Sequence, residues 1–318
     1  MGRYDAVLLI AFGGPEKPAD VRPFLDNVLR GRPLSRERYE EVVHHYERIG
    51  GCSPMNALTF RQAEMLRARL SADGPALPVY VGMRNWSPYI ADTLRDMSEH
   101  GVRRALGIVL APHRSEASWG RYTEAVEAGR AVLGSDAPTI EYAGGWFDHP
   151  LFVTTIAERI RDALGAPGTA DDPHIVFTAH SLPLAMAEGS GYVSELEISC
   201  RLVAAAVGHS RYSLAYQSRS GRPGDAWLEP DVNESIRDLA DRGVRRIMLV
   251  PIGFVCDHVE VLYDLDVEAR ATAEAAGVRM VRAETPNDHP IFVRMLAEVV
   301  RGHIGGAQQA AVDRHGRP

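Results

Sequence analysis

Glu260, Asp264 and Glu268 recur at a four-residue spacing within Phe254-Val-Cys-Asp-His-Val-Glu-Val-Leu-Tyr-Asp-Leu-Asp-Val-Glu268. If this segment is helical, the three carboxylates line one face. Like charges at that spacing cost a helix roughly 0.2–0.5 kcal/mol per pair, so a row of three points to something positive held against it. A metal cation is the leading candidate, and a solvated acidic face is the alternative. His180 leaves the apolar run Ile175-Val-Phe-Thr178 in the turn Ala179-His-Ser-Leu-Pro183. A histidine at the carboxyl end of a buried strand faces the ligand crevice of an open α/β sheet. Its neutral imidazole accepts a proton near pH 7 or binds a borderline metal. A further turn, Pro112-His-Arg-Ser115, with Ser118-Trp-Gly-Arg-Tyr122 beyond it, offers arginines and aromatics. These suit a large flat ligand carrying carboxylates. The turn Ala11-Phe12-Gly13-Gly14-Pro15 permits close backbone approach to a ligand but lacks phosphate-loop spacing, so no nucleotide site is expected.

The elements that must position these groups alternate in type. Short apolar runs at Ala6–Ala11, Val79–Val81, Ala105–Ala111, Ile175–Thr178, Tyr212–Tyr216 and Ile247–Val255 are separated by amphipathic stretches. That alternation predicts an α/β fold of βα units around parallel sheets, with strands covered on both faces. Gly101-Val-Arg-Arg104 recurs as Gly243-Val-Arg-Arg246, and Asp148-His-Pro-Leu-Phe-Val153 as Asp288-His-Pro-Ile-Phe-Val293. Two matches at nearly one long offset imply a duplicated domain rather than a solenoid. The expected organisation is an N-terminal half over residues 1–145, a C-terminal half over 146–304, and an unstructured tail over 305–318. Residues 21–54 read as an insert able to form a lip over a cleft between the halves. Asp148 and Asp288 are expected to cap helices that begin at the following prolines, which makes His149 and His289 structural.

The 318-residue length fits two domains of roughly 150 residues, and the formal net charge of −7 argues against a nucleic-acid partner. No run approaches the roughly 18 apolar residues of a membrane span. The strand-like run starting at Tyr4 leaves no room for a cleaved leader, so a cytoplasmic protein is expected. Cys52, Cys200 and Cys256 lie far apart without a Cys-x-x-Cys, which predicts reduced thiols rather than a disulfide framework or a four-thiolate site. A monomer is the default expectation.

Ala179-His-Ser-Leu-Pro183, Trp227-Leu-Glu-Pro-Asp-Val232 and Pro251-Ile-Gly-Phe-Val-Cys-Asp-His-Val-Glu-Val-Leu-Tyr-Asp264 stand in this order with Gly13-Gly-Pro15 and Ile49-Gly-Gly-Cys-Ser-Pro54. Together they closely resemble the ferrochelatases over about residues 4–303. Phe12-Gly-Gly-Pro-Glu16, Arg84-Asn-Trp86 and Tyr216-Gln-Ser-Arg-Ser-Gly221 are most similar to the actinobacterial branch, whose members are generally coproporphyrin III ferrochelatases. The resemblance implies two Rossmann-like halves with a porphyrin cleft between them, and insertion of Fe²⁺ into coproporphyrin III in heme synthesis. A protoporphyrin IX ferrochelatase and a non-catalytic tetrapyrrole carrier are the alternatives. A cobalt chelatase of the same fold would be expected to have a second active-site histidine, a place His258 could fill. The resemblance further implies that His180 and Glu260 bind the metal and remove pyrrole protons, and that Asp264 and Glu268 lead metal inward. It assigns Ser53, Tyr122, Phe12, Arg30 and Tyr46 to the porphyrin. Where many relatives have a tyrosine able to ligate product iron, Phe12 has no donor atom. The last cysteine is Cys256, whereas cluster-bearing relatives have several near the C-terminus, so no [2Fe-2S] cluster and no tightly bound cofactor are expected.

Overall fold

A computed structural model describes residues 3–31, 34–164, 172–220 and 224–315, with side chains described through residue 304. Its first sheet is built from β1 (Ala6–Ala11), β2 (Val79–Met83), β3 (Arg104–Val109) and β4 (Thr139–Tyr142). The second contains β5 (His174–His180), β6 (Tyr212–Gln217), β7 (Arg246–Val250) and β8 (Arg279–Arg282). Both are wholly parallel and have the same order, β2-β1-β3-β4 and β6-β5-β7-β8. The halves of the chain therefore repeat one doubly wound unit. All six residues of β1 are buried, as a strand covered by helices on both faces requires. In each sheet the order reverses beside the first strand, between β1 and β3 and between β5 and β7, and ligands bind outside the strand ends at such switch points.

The first half carries α1 (Val21–Leu29), α2 (Arg36–Arg48), α3 (Met55–Asp73), α4 (Ile90–Glu99), α5 (Arg121–Leu133) and also α6 (Pro150–Leu164), which begins past the boundary expected at residue 145 but is the repeat counterpart of the chain's last helix. The second carries α7 (Leu184–Glu188), α8 (Tyr192–Val207), α9 (Val232–Asp241), α10 (Val259–Leu262), α11 (Arg270–Ala275) and α12 (Pro290–His315). α6 packs on α8, and α12 packs on both α3 and α6, so the last helix of each half lies against the other half. One apolar core consequently runs between the sheets, from Leu9 and Leu66 through Trp146 and Phe152 to Phe177, Leu196 and Phe292. Separate clusters cover the outer faces, around Leu8, Leu94 and Val126 in the first half and Val176, Ile236 and Leu265 in the second.

The motifs Asp148-His149-Pro150 and Asp288-His289-Pro290 do open helices α6 and α12, but the capping side chain is the histidine. Nδ1 of His149 accepts the Leu151 amide at 3.2 Å, and Nδ1 of His289 accepts the Ile291 amide at 3.3 Å. An aspartate one residue further out misses the orphan amides that a residue at the cap position reaches. Nε2 of His149 faces Glu298 on α12, and Nε2 of His289 faces Glu158 on α6, so each crossing helix is tied to the other. Beyond Gly305 the backbone stays helical to His315 where an irregular tail was expected. Good helix formers, Ala307-Gln-Gln-Ala-Ala, follow the glycine pair. Residues 316–318 of that expected tail lie outside the described residues.

The stretch expected to form a lip folds as α1 and α2 around Val21, Phe24, Leu25, Val43 and Tyr46. Phe24 meets Phe12, Tyr46 and Trp86 edge-on, with ring centres 6.0 to 6.2 Å apart. Val259 of the second half packs on the same cluster, and His45 stacks on Tyr263 at 3.8 Å. The lip thus closes from β1 onto α10. At the far switch point, Gly253 donates its amide to Thr178 O at 3.1 Å. A Cβ there would lie 2.8 Å from Ala179 Cβ and 2.9 Å from its Cα. Gly253→Ala is therefore expected to cost roughly 1–3 kcal/mol, seen as a fall of roughly 2–8 °C in Tm. An unchanged Tm would show that the strand end yields freely.

Candidate active site

His180 is the last residue of β5, and its backbone is fixed on several sides. Tyr192 OH donates to His180 O at 3.0 Å, the next amide, Ser181 N–H, donates to Gln217 O at 2.8 Å, and Ser181 Oγ donates to Leu228 O at 2.9 Å. The ring is fixed as well, because Nδ1 meets Ser181 O, which can only accept. Nδ1 therefore carries a hydrogen, and Nε2 points to Glu260 Oε1 at 3.6 Å. His258 repeats the arrangement from the opposite side. Its Nδ1 donates to Cys256 O at 3.0 Å, and its Nε2 lies 3.4 Å from Glu260 Oε2. With both Nδ1 atoms committed, two neutral rings would aim lone pairs at a carboxylate. The three groups are reconciled only when a proton or a cation stands between them.

The electrostatics agree. Burial pushes the Glu260 carboxyl up, but the charges of His180 and His258 outweigh it and hold the group at about 2, although about a third of the side chain is exposed (32%). Burial pulls His258 down, and Glu260 with the Cys256 carbonyl lifts it above its ordinary value. Gln217 at the end of β6 donates its side-chain amide to Glu260 O, which fixes the backbone of the carboxylate.

The carboxylate row is not one regular α-helix. α10 ends at Leu262, and residues 264–269 form a π-helix in which Glu268 N reaches Tyr263 O at 3.0 Å. Such wide turns recur at functional sites. Leu265 and Ala269 anchor its inner side in the core. The row survives the widening: Glu260 and Glu268 both raise Asp264 electrostatically. Burial is the larger cause, and Asp264 is pushed up to about 8 even though Ser218 Oγ donates to it. Glu268 lies at the surface, and its carboxyl is raised by what burial it has and then by the charges of Glu41 on the lip and of Asp231. The row therefore runs from solvent toward the paired histidines. Among the described residues no three His, Cys, Asp or Glu side chains close into a ready-made ligand cage.

The Asp264 carboxyl links stability to pH. The folded chain keeps a proton there that the unfolded chain loses near its ordinary value of 3.8, so this group's contribution to stability declines from about pH 4 up through about 8. Asp264→Asn has no such loss. Its Tm is expected to match the parent near pH 4 and to exceed it by roughly 2–4 °C at pH 9. A difference that stays constant with pH would contradict the raised carboxyl.

The other expected site residues come from the first half. Tyr46 on α2 and Tyr122 on α5 are buried, and both are raised first by burial and in smaller part by the charge of Glu260, so each lies within electrostatic reach of that carboxylate. Phe12 follows β1 and faces the lip cluster. Ser53 is buried against Gly14, where a Cβ would meet its own at 2.8 Å, and Asn56 clamps Gly14 through Oδ1 at 2.8 Å and Nδ2 at 3.0 Å. Arg30 ends α1 with φ of 48° and donates to Arg84 O at 2.9 Å and Asn85 Oδ1 at 3.1 Å, on the exposed rim. His113 is different: it is fully buried against Ser199, and burial holds it at about 3. Sequence reasoning gave no role to Tyr192, Gln217 or Ser218, and entered His258 only as a feature of another chelatase. The one available signal was its position two residues before Glu260. A groove of about 540 Å³ lined by Phe60, Val79, Tyr80 and Pro88 contains none of these residues.

Comparison with known proteins gives this geometry a family. The ferrochelatase family model matches residues 4–304. A coproporphyrin III ferrochelatase of Mycobacterium avium is 46% identical over 300 residues, covering 93% of this chain and 87% of the relative. One from Mycolicibacterium smegmatis is 41% identical, covering 98% and 93%, and a ferrochelatase of Rhodopirellula baltica is 42% identical, covering 95% and 87%. Among solved structures, SirB from Bacillus subtilis with Fe³⁺ superposes with a TM-score of 0.60 at 12% identity over 96% of this chain and 97% of its own, a likeness of fold. Among the described residues no helix is long and apolar enough to cross a membrane. With two chelatase-type sheets, His180 and Glu260 facing each other at a switch point, and a family match over nearly the whole length, the chain belongs to the ferrochelatase family.

Proposed function

We propose that this protein inserts Fe²⁺ into coproporphyrin III to give coproheme, the activity in the names of several relatives at 41–46% identity. The observation that carries the reading is the pair of histidines, each with Nδ1 tied to a carbonyl and Nε2 turned to Glu260. Insertion exchanges two pyrrole protons for one divalent ion, with no change of oxidation state. No resident cofactor is needed, and the reading includes no [2Fe-2S] cluster.

The chemistry at these atoms is proton and cation exchange. Nε2 of His180 takes up the two pyrrole protons in succession, each leaving to solvent by way of Glu260, which is ionised at neutral pH and also holds the incoming metal between the two rings. Asp264 and Glu268 supply the ion, with Asp264 giving up its proton as the cation arrives. The porphyrin lies under the lip against Phe12, Tyr46, Ser53 and Tyr122, with Arg30 at the rim for a propionate. Mixed imidazole and carboxylate donors do not exclude other divalent ions, so Zn²⁺ is expected to enter as well. We place the enzyme in the cytoplasm, as a monomer.

The substrate is tested by comparing kcat/KM for coproporphyrin III, with four propionates, and protoporphyrin IX, with two, using anaerobic Fe²⁺. The proposal expects coproporphyrin III to be preferred. Equal or faster turnover of protoporphyrin IX would overturn that choice.

A further inference from the structure

Two buried side chains cross between the halves at places related by the internal duplication. α3 and α8 are topological equivalents, since each lies between the first two strands of its sheet. Gln62 on α3 is fully buried and donates Nε2 to Asn287 O at 2.6 Å and to Cys256 Sγ at 3.2 Å, on the loops that follow β8 and β7. Ser199 on α8 is fully buried and donates Oγ to Phe147 O at 2.8 Å while meeting His113 Nε2 at 2.9 Å, on the loops that follow β4 and β3. Each helix thus reaches into the strand-end loops of the opposite half.

We propose that Gln62 and Ser199 are paired positioning residues, Gln62 setting the wall that bears His258 and Glu260 and Ser199 setting the wall that leads to Tyr122. The inference rests on the insertion activity proposed above. From Gln62 the connection is continuous. Asn287, held at φ of 49°, donates its amide to Val255 O at 2.8 Å and accepts the Asp257 amide on Oδ1 at 2.9 Å. Asp257 Oδ1 in turn accepts from Thr285 Oγ1 at 2.9 Å and faces Arg282 at 3.3 Å. The carbonyl of Cys256, whose thiol Gln62 touches, is the group that orients His258. Burial pushes that thiol up to about 12, so it serves as a neutral contact rather than a thiolate ligand. On the other side, Arg114 reinforces the Ser199 contacts through its amide and Nε to Glu195, at 2.7 and 3.1 Å. That loop enters the turn 116–120 and then α5, which carries Tyr122.

Because the two walls serve different substrates, the latches should separate kinetically. Zn²⁺ insertion into coproporphyrin III is measured with each substrate varied, for Gln62→Leu and Ser199→Ala, alongside amide hydrogen exchange of residues 254–260 and 112–118. Gln62→Leu is expected to raise the KM for Zn²⁺ by roughly tenfold, below the roughly hundredfold that a misplacement of about 1 Å can cost, with faster exchange at 254–260 and the porphyrin KM nearly unchanged. Ser199→Ala is expected to do the reverse, raising the porphyrin KM and speeding exchange at 112–118. If Gln62→Leu does not accumulate, Gln62→Met, similar in length and without a donor, carries the same expectation. Equal effects on both substrates from both variants, or a lowered Tm with both KM values intact, would overturn the inference. A parent protein that inserts no metal would count against the proposed activity instead, and the exchange data would still judge the latches.

Discussion

Replacing Glu260 by glutamine is expected to lower metal insertion by roughly 10²–10⁴-fold, the range that a positioned proton-transfer group commands. The porphyrin Kd, followed by fluorescence quenching, should stay close to that of the parent. Glutamine keeps the size of the side chain but can neither take up a proton nor bear the negative charge that draws both histidines inward. The change also has a stability signature whose sign is fixed. Glu260 lies below its ordinary value of 4.5, so its stabilising effect is present above about pH 4.5 and fades as pH falls toward about 2. His258 lies above its ordinary 6.5, so its contribution is present below about 6.5 and fades as pH rises further. Glu260→Gln should therefore lose most Tm relative to the parent between about pH 4.5 and 6.5. Retained insertion, or a Tm penalty that peaks outside that interval, would contradict the assignment.

His180→Ala is expected to produce a loss of the same order, roughly 10²–10⁴-fold, with a smaller Tm loss than Glu260→Gln, because the carboxylate keeps His258 as a partner. The bonds that hold this strand end run through backbone atoms and through Ser181, which alanine leaves in place. Because His180 and Glu260 act on the same proton and ion, their effects should not add. The double variant is expected to be about as slow as either single one, as for residues that work as a unit. Added imidazole should restore part of the rate in His180→Ala and none in Glu260→Gln. Full activity in His180→Ala would remove the histidine from the reaction, and additive losses would mean that the two act separately.

The buried strands and the duplication were legible because they leave chemical patterns. Short, mostly apolar runs marked β1, β2, β3, β5, β6 and β7, and the paired Gly-Val-Arg-Arg segments lead into β3 and β7. β4 and β8 were not found. Thr139-Ile-Glu-Tyr142 and Arg279-Met-Val-Arg282 are short edge strands with polar or charged ends, and neither forms an apolar run. The carboxylate spacing indicated one shared face. It could not reveal the π-helical turn, since that depends on how Leu265 and Ala269 seat in the core. His180 and Glu260 could be paired only through the family resemblance, because 80 positions separate them and folding alone brings them to 3.6 Å. The latches were hidden for the same reason: nothing local in Gln62 or Ser199 announces that the partner is a main-chain carbonyl in the other half.

Whether this chain puts iron into a porphyrin is decided by mixing it with coproporphyrin III and anaerobic Fe²⁺ and following the porphyrin absorption bands in a single turnover. Conversion to the spectrum of the iron complex is expected to be far faster than in the protein-free control. Conversion no faster than that control, with the porphyrin demonstrably bound, would contradict it and leave a protein that holds the ring without filling it.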